Sequence, residues 1–266
     1  EIRLRLLERE ERPVDTGWWR ARLRAAAERR HGIDATAYRL VHGEGDGLPS
    51  LIVDRYDRWL VAQLLSAGLE TMRGEIVAAL VAEFAPEGIL LRNDVGVRRR
   101  EGLDEEVELV HGTVPERVEV REGTVRYEAA PWSGQKTGAF LDQRPNRLAA
   151  GRLAPAGGRG LDCFAYHGSF ALHLAARSAE VVALDSSAEA LARGAANAAL
   201  NGLTNIRWVE ADAFEALRAY ERGRERFDVI ALDPPAFAKT RAALSQALRG
   251  YREVNLRAMR ILAPGG

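Results

Sequence analysis

The chain has 266 residues, 47% hydrophobic and 29% charged, which is the balance of an ordinary folded protein and, at this length, of two folded units rather than one. Its 38 Lys and Arg match its 38 Asp and Glu, so no global field draws in nucleic acid and any such binding has to use a local patch. A single cysteine excludes a disulfide framework or a multi-cysteine metal site, the histidines show no ligand spacing, and no long apolar run or signal peptide is present, so a soluble cytosolic protein without metal is expected.

Glu1 to Leu7 alternates apolar and charged positions with the period of a half-buried strand. From Asp15 to His31, Trp19, Leu23, Ala26 and Ala27 recur at helical spacing, with Asp15 or Thr16 as cap and Gly32 as stop. Tyr38 to Val41, the turn-rich Gly43 to Pro49, and then Leu51 to Arg55 and Trp59 to Leu65 predict an antiparallel meander. Leu69, Met72, Ile76, Leu80 and Phe84 predict one amphipathic helix over 69–84. Short strands follow at Ile89 to Leu91, Val107 to Val110, Val118 to Val120 and Val125 to Tyr127, the last two joined through Glu122-Gly123. Residues 15–130 therefore read as a mixed α/β unit.

From Gln135 the pattern changes. A helix over Leu141 to Leu153 precedes four apolar runs that each reach an aspartate: Leu161-Asp162, Val181 to Asp185, Ile206 to Val209 running on to Asp212, and Val229 to Asp233. Helical stretches separate them, one of them opened by a capping box at Ser186-Ser187-Ala188-Glu189 and closed at Asn201-Gly202. A last helix, Ser245 to Leu262, carries Leu248, Tyr251, Ala258 and Leu262. Strand and helix in alternation predict a parallel sheet, and the carboxylates then gather at the carboxyl ends of its strands, where open α/β sheets bind ligands.

The first of these loops, Asp162-Cys163-Phe164-Ala165-Tyr166-His167-Gly168, holds one glycine where a dinucleotide loop needs several. Aromatic rings beside carboxylates suit instead a flat ligand with positive centres and no phosphate, and S-adenosylmethionine has that chemistry. Asp185 is placed to accept hydrogen bonds from ribose hydroxyls, and Asp212, with Ala213 and Phe214 after it, to hold an adenine amino group. Each acid alone could simply cap a helix. Four in register point to a shared ligand. Asp233-Pro234-Pro235-Ala236-Phe237 leaves the last strand in a stiff extended form, and Phe237 or Asp233 could meet a flipped base by stacking or hydrogen bonding, although a proline pair also just terminates strands.

At these residues the chain resembles class I S-adenosylmethionine-dependent methyltransferases, and more closely the 23S ribosomal RNA cytosine-5 methyltransferases that carry an N-terminal PUA domain. The resemblance rests on Gly43-Glu44-Gly45-Asp46-Gly47-Leu48-Pro49 with Leu51-Ile52-Val53-Asp54-Arg55, on Asn93-Asp94, on Gly134-Gln135-Lys136-Thr137-Gly138-Ala139-Phe140-Leu141-Asp142-Gln143-Arg144, and on the four strand ends. It implies an α/β protein in which a Rossmann-like class I methyltransferase domain (131–266) follows a smaller N-terminal mixed α/β domain on the RNA side (15–130). Residues 1–14 would be the tail of the PUA domain, and the last catalytic strands would lie past Gly266. It also implies a cofactor site of Phe140, Gln143, Arg144, Asp162, Phe164, Tyr166, Gly168, Asp185, Ser186, Asp212, Ala213 and Asp233, with Asp233 facing both cofactor and base.

In that family the nucleophilic cysteine lies in a Ser-Cys-Ser strand directly after a Pro-Gly-Gly turn. The sequence stops at Gly265-Gly266, so the resemblance implies that these residues bind cofactor but lack the nucleophile and transfer no methyl group. A cytosine C5 needs a thiolate, and Cys163 in the cofactor loop reads as a small residue buried against the sheet. His167 is either an acid or base of the loop or a solvent-facing residue. Arg98, Arg99, Arg100 and Lys136 are candidates for RNA phosphates, a triple arginine being otherwise an exposed face. The expected partner is ribosomal RNA, with no membrane contact and with the oligomeric state, a homodimer included, left open. Two other readings stand beside this one: a base-amino (guanine-N2 type) methyltransferase using Asp-Pro-Pro, and a non-catalytic RNA-binding scaffold.

Overall fold

The computed structural model describes residues 4–238 and 240–266, and the chain divides into two compact units, 1–124 with 128–142 and 125–127 with 143–266. Leu4 to Leu7 take no strand, and Leu4 is 90% exposed, so the alternation at the start of the chain buries no apolar row there; residues 1–3 of that stretch lie outside the described residues.

The first unit opens with α1 (Thr16–Glu28), capped by the Asp15 carboxylate, which accepts from the Trp18 N–H at 2.9 Å. Strands β1 (Ala37–His42), β2 (Leu51–Tyr56) and β3 (Trp59–Leu64) form the expected antiparallel meander. The β2–β3 turn is two residues long, and Asp57 takes the left-handed φ of +55° that such a turn requires. The single helix predicted over 69–84 is two: α2 (Ala67–Thr71) and α3 (Arg73–Phe84). The ladder breaks at Met72, whose N–H turns back to Leu69, while Arg73 reaches Glu70, Glu106 and Glu108. Strand β4 (Gly88–Arg92) pairs parallel with β3; a short helix α4 (Val97–Arg100) follows, and β5 (Val107–Gly112) closes the sheet in the order β1-β2-β3-β4-β5. Trp19, Leu23, Leu40, Val53, Leu80 and Ile89 meet in its core. Strands β6 (Val118–Glu122) and β7 (Val125–Ala129) are joined through Gly123 at φ +59°.

A 3-10 turn, Leu141–Gln143, runs from the last residues of the first unit into α5 (Arg144–Leu153) of the second. Then β8 (Arg159–Cys163), α6 (Ser169–Ala175), β9 (Glu180–Asp185), α7 (Ala188–Leu200), β10 (Ile206–Glu210), α8 (Ala213–Arg222), β11 (Val229–Leu232) and α9 (Leu244–Ile261) alternate as predicted. The strands form a parallel sheet in the order β10-β9-β8-β11. Both faces are covered. Leu161, Cys163, Val182 and Leu184 pack on one side with Leu217, Val254 and Ile261; Val181 and Ala183, one residue out of step, pack on the other with Ala171 and Leu174. Two local expectations shift. The cap of α7 is Ser187, accepting from Ala190 N–H, rather than Ser186. The buried stripe of α9 is Ala247, Val254, Ala258 and Ile261, leaving Leu248 59% exposed.

Candidate functional site

Sheet order brings the four aspartates of the second unit to the carboxyl ends of adjacent strands, in the spatial sequence Asp212, Asp185, Asp162, Asp233. Asp162 is the deepest. It lies inside β8 between Leu161 and Cys163, almost fully buried, and its Oδ2 accepts from the Ala171 N–H at 2.8 Å in the first turn of α6. Burial pushes its carboxyl up to about 7, and the charges of Asp185 and Asp233 push in the same direction. The site is therefore a concentration of carboxylates whose deepest member is held towards its neutral form, first by burial and then by the charges of its neighbours.

Asp185 ends β9 and organises the loop above β8: its Oδ2 accepts from the Tyr166 N–H at 2.8 Å and its Oδ1 from Ser187 N–H at 2.9 Å. The Leu184 carbonyl takes the N–H groups of Phe164 and Ala165, at 3.0 and 2.9 Å. Held this way, Phe164 and Tyr166 both adopt left-handed backbone, φ +69° and +51°, which costs a bulky residue of order 1–3 kcal/mol and persists only where the surroundings over-determine it. Strain of this kind concentrates at functional loops. The Phe164 ring meets Phe237, and the Tyr166 ring lies 5.0 Å from the Arg193 guanidinium.

Asp212 caps α8 through the Glu215 N–H at 3.0 Å, as a helix cap would, while remaining exposed. Ala213 beside it is buried. Asp233 is exposed, and its Oδ2 accepts from the Gln143 side-chain amide at 2.7 Å; the Gln143 Oε1 in turn accepts from Asn146 at 2.6 Å. Arg144 is half-buried at the head of α5 and Ser186 is exposed between β9 and α7. Of the predicted cofactor residues, only Phe140 belongs to the first unit, where Lys136 Nζ lies 4.8 Å from its ring and 2.7 Å from both carboxylate oxygens of Asp142.

Three residues have structural settings that the sequence did not suggest. Gly168, φ +77°, is required by packing: a Cβ there would stand 2.4 Å from the Trp208 ring. His167 is buried rather than solvent-facing, its ring stacked on Tyr127 at 5.6 Å and tilted against Tyr166 at 4.7 Å. Arg98 is buried too, giving Nε to the Asp104 carbonyl at 2.8 Å and Nη1 to the Leu64 carbonyl at 2.5 Å and to Glu70 at 2.9 Å. It is a structural clamp of the first unit and is not available to phosphate. Arg99 and Arg100 are exposed, Arg99 beside Glu105 at 2.8 Å. Phe237 is half-buried in an aromatic group with Phe214 and Tyr251. Cys163 is buried and burial pushes its thiol up to about 12, so it is no nucleophile near neutral pH.

One residue that sequence reading passes over is Arg147. It is buried, lies 6.0 Å from the Tyr127 ring, and its charge opposes the upward push on Asp162. Nothing in the sequence separates it from Arg144 or Arg152 on the same helix. Among the described residues no cluster of three or more His, Cys, Asp or Glu could hold a metal ion, and no helix is long and apolar enough to cross a membrane.

Residues 38–266 match the model of the S-adenosylmethionine-dependent methyltransferase family. The chain is similar to the ribosomal RNA large subunit methyltransferase I of Aeromonas hydrophila, 43% identical over an alignment 265 residues long that covers 96% of this chain and 66% of that protein. The protein of the same name from Shewanella amazonensis is 39% identical over 274 residues, 100% of this chain and 69% of its own length. The chain thus spans about two thirds of these curated relatives. Its fold is similar to that of a Streptococcus mutans protein assigned as a methyltransferase, with TM-score 0.80, 22% identity, and 97% of this chain and 67% of that one covered. The parallel sheet with its acidic rim is thereby placed in a known lineage: the chain belongs to the S-adenosylmethionine-dependent methyltransferase family.

Proposed function

We propose that the chain is the cofactor-binding and substrate-side part of an RNA methyltransferase acting on large-subunit ribosomal RNA, with cytosine C5 as the methylated atom. The observation that carries the reading is the row Asp212, Asp185, Asp162, Asp233 along one edge of the parallel sheet. A rim of carboxylates whose deepest member is raised to about 7 by burial and by its neighbours is stabilised by a cation, and S-adenosylmethionine brings a sulfonium and an ammonium. That ligand supplies an electrophilic methyl group when bound. The donor set fits it: Asp185 remains able to accept ribose hydroxyls, Asp212 an adenine amino group, and Phe164 and Tyr166 offer apolar cover. Gln143 holds the Asp233 carboxylate at the strand end, where it accepts a hydrogen bond from the target base.

Ribosomal RNA enters through the names of the relatives, and cytosine C5 through the resemblance carried together by Gly43 to Arg55, Asn93-Asp94, Gly134 to Arg144 and the four strand ends. Addition to C6 of a cytosine needs a thiolate. Cys163, the one cysteine in the sequence, cannot supply it, so the nucleophile in this reading comes from residues outside this sequence, and the 266 residues alone bind cofactor without turnover. A second reading, base-amino transfer, is favoured by the exposed Asp233 followed by two prolines and needs no thiol. Mass spectrometry of nucleosides from unmodified ribosomal RNA treated with the full-length protein decides between them. Gain of 5-methylcytidine is expected; N2-methylguanosine instead would establish the second reading, and no methylated nucleoside would refute both.

A further inference from the structure

We propose that the groove between α8 and α9 of the second unit is a binding subsite for an unpaired nucleotide of the RNA strand flanking the target; this rests on the RNA reading above. The groove has a volume of about 590 Å³. Its floor is aromatic, Phe214 and Phe237 with ring centroids 5.6 Å apart, and its rim is polar, with Arg218, Arg249 and Gln246. Gly250 keeps it open: a Cβ there would stand 3.2 Å from the Phe237 ring, so any side chain would narrow the approach of the helix to that ring.

Charge selects the occupant. The chain as a whole is neutral, yet residues 241–261 carry Arg241, Arg249, Arg252, Arg257 and Arg260 against Glu253, and α8 on the other wall adds Arg218 and Arg222 against Glu215 and Glu221. Glu253 pairs with Arg218 at 3.2 Å and Arg257 at 3.1 Å, and Glu221 pairs with Arg257 and with Arg260 at 2.9 Å, so the rim guanidinium outside these pairs, and left for an incoming anion, is that of Arg249. A π-face beneath guanidinium groups is the arrangement that binds single-stranded nucleic acid: the base stacks while the phosphate meets arginine. The groove is also continuous with the candidate site, because Phe237 ends the segment that begins at Asp233. A strand whose target base lies at Asp233 thus finds a second base seat at Phe237 and Phe214, with Gln246 offering an amide to its edge.

The test uses the full chain, a short fluorescein-labelled single-stranded RNA read by anisotropy across a salt series, and calorimetry with S-adenosylmethionine. Arg249→Glu, at an exposed position, is expected to weaken RNA binding about tenfold and to make the salt dependence shallower by about one phosphate contact. Phe214→Leu, which keeps apolar bulk and removes the stacking face, is expected to weaken it about fivefold. Cofactor affinity stays unchanged in Arg249→Glu, which lies outside the residues assigned to the cofactor. If the parent binds RNA and both variants match it in affinity and salt slope, the groove is excluded and the RNA reading stands. If the parent binds no RNA, that reading falls and takes the groove with it. Loss of cofactor affinity in Arg249→Glu would assign the groove to the cofactor and overturn the proposal.

Discussion

Asp162 holds its proton in the folded protein up to about pH 7, whereas in an unfolded chain it releases it near its ordinary 3.8. The folded state therefore binds more protons between those values. The associated stability is complete below about pH 4, declines as pH rises, and is lost above 7. Asn keeps an oxygen for the Ala171 N–H and cannot ionise. Asp162→Asn should match the parent near pH 4 and exceed its stability by a few kcal/mol at pH 8, at about 1.4 kcal/mol for each pH unit of that window, read from denaturant midpoints across pH. Arg98 makes the complementary case. Removing it leaves Glu70, the buried Leu64 carbonyl and the Asp104 carbonyl short of a donor, so Arg98→Ala should cost about 3 kcal/mol of stability while RNA affinity per folded molecule stays constant. Weaker RNA binding at full stability would return Arg98 to the substrate surface.

The elements of the second unit owe their fit to places where side chains are missing. Gly168, before α6, and Gly194, within α7, both face the Trp208 ring of β10, and a Cβ at either would fall 2.4 Å from it. Alanine in a helix normally gains about 1 kcal/mol over glycine, and overpacking costs about 1–3 kcal/mol. The clash is with a broad ring wedged between two elements, so Gly194→Ala is expected to destabilise by about 1–2 kcal/mol in chemical denaturation, and Gly194→Ala with Trp208→Leu to recover part of the loss. A more stable single variant would show that the ring moves freely. In the first unit a buried polar cluster does similar fixing. Asp54 accepts from Arg39 Nε and Nη2 at 2.9 and 3.0 Å and from Thr137 Oγ1 at 2.5 Å, while Tyr56 Oη takes the Ala139 N–H at 3.1 Å. The phrase Lys136-Thr137-Gly138 is thus anchored to β2.

At the scale of the whole molecule, periodicity carried most of the architecture. Strand–helix alternation after residue 155 and the meander before residue 65 could be read because each strand buries a distinct face, and the four aspartates could be placed because parallel strands share a carboxyl end. What escaped depends on tertiary neighbours. The break at Met72 is set by a backbone turn, the exposure of Leu248 by which stripe of α9 meets the sheet, and the burial of Arg98 and Arg147 by carbonyls and rings far away in sequence. Of the alternating start, Leu4 and Leu6 stay exposed while Leu7 packs against the core of the first unit. The central claim is that the acidic rim of the second unit binds S-adenosylmethionine, and calorimetric titration of the parent and of Asp185→Ala tests it most directly. One site per chain is expected in the parent, with binding weakened at least tenfold in the variant because a ribose acceptor and the anchor of Tyr166 are both lost. Absence of heat in the parent, or equal affinity in the variant, would contradict the account.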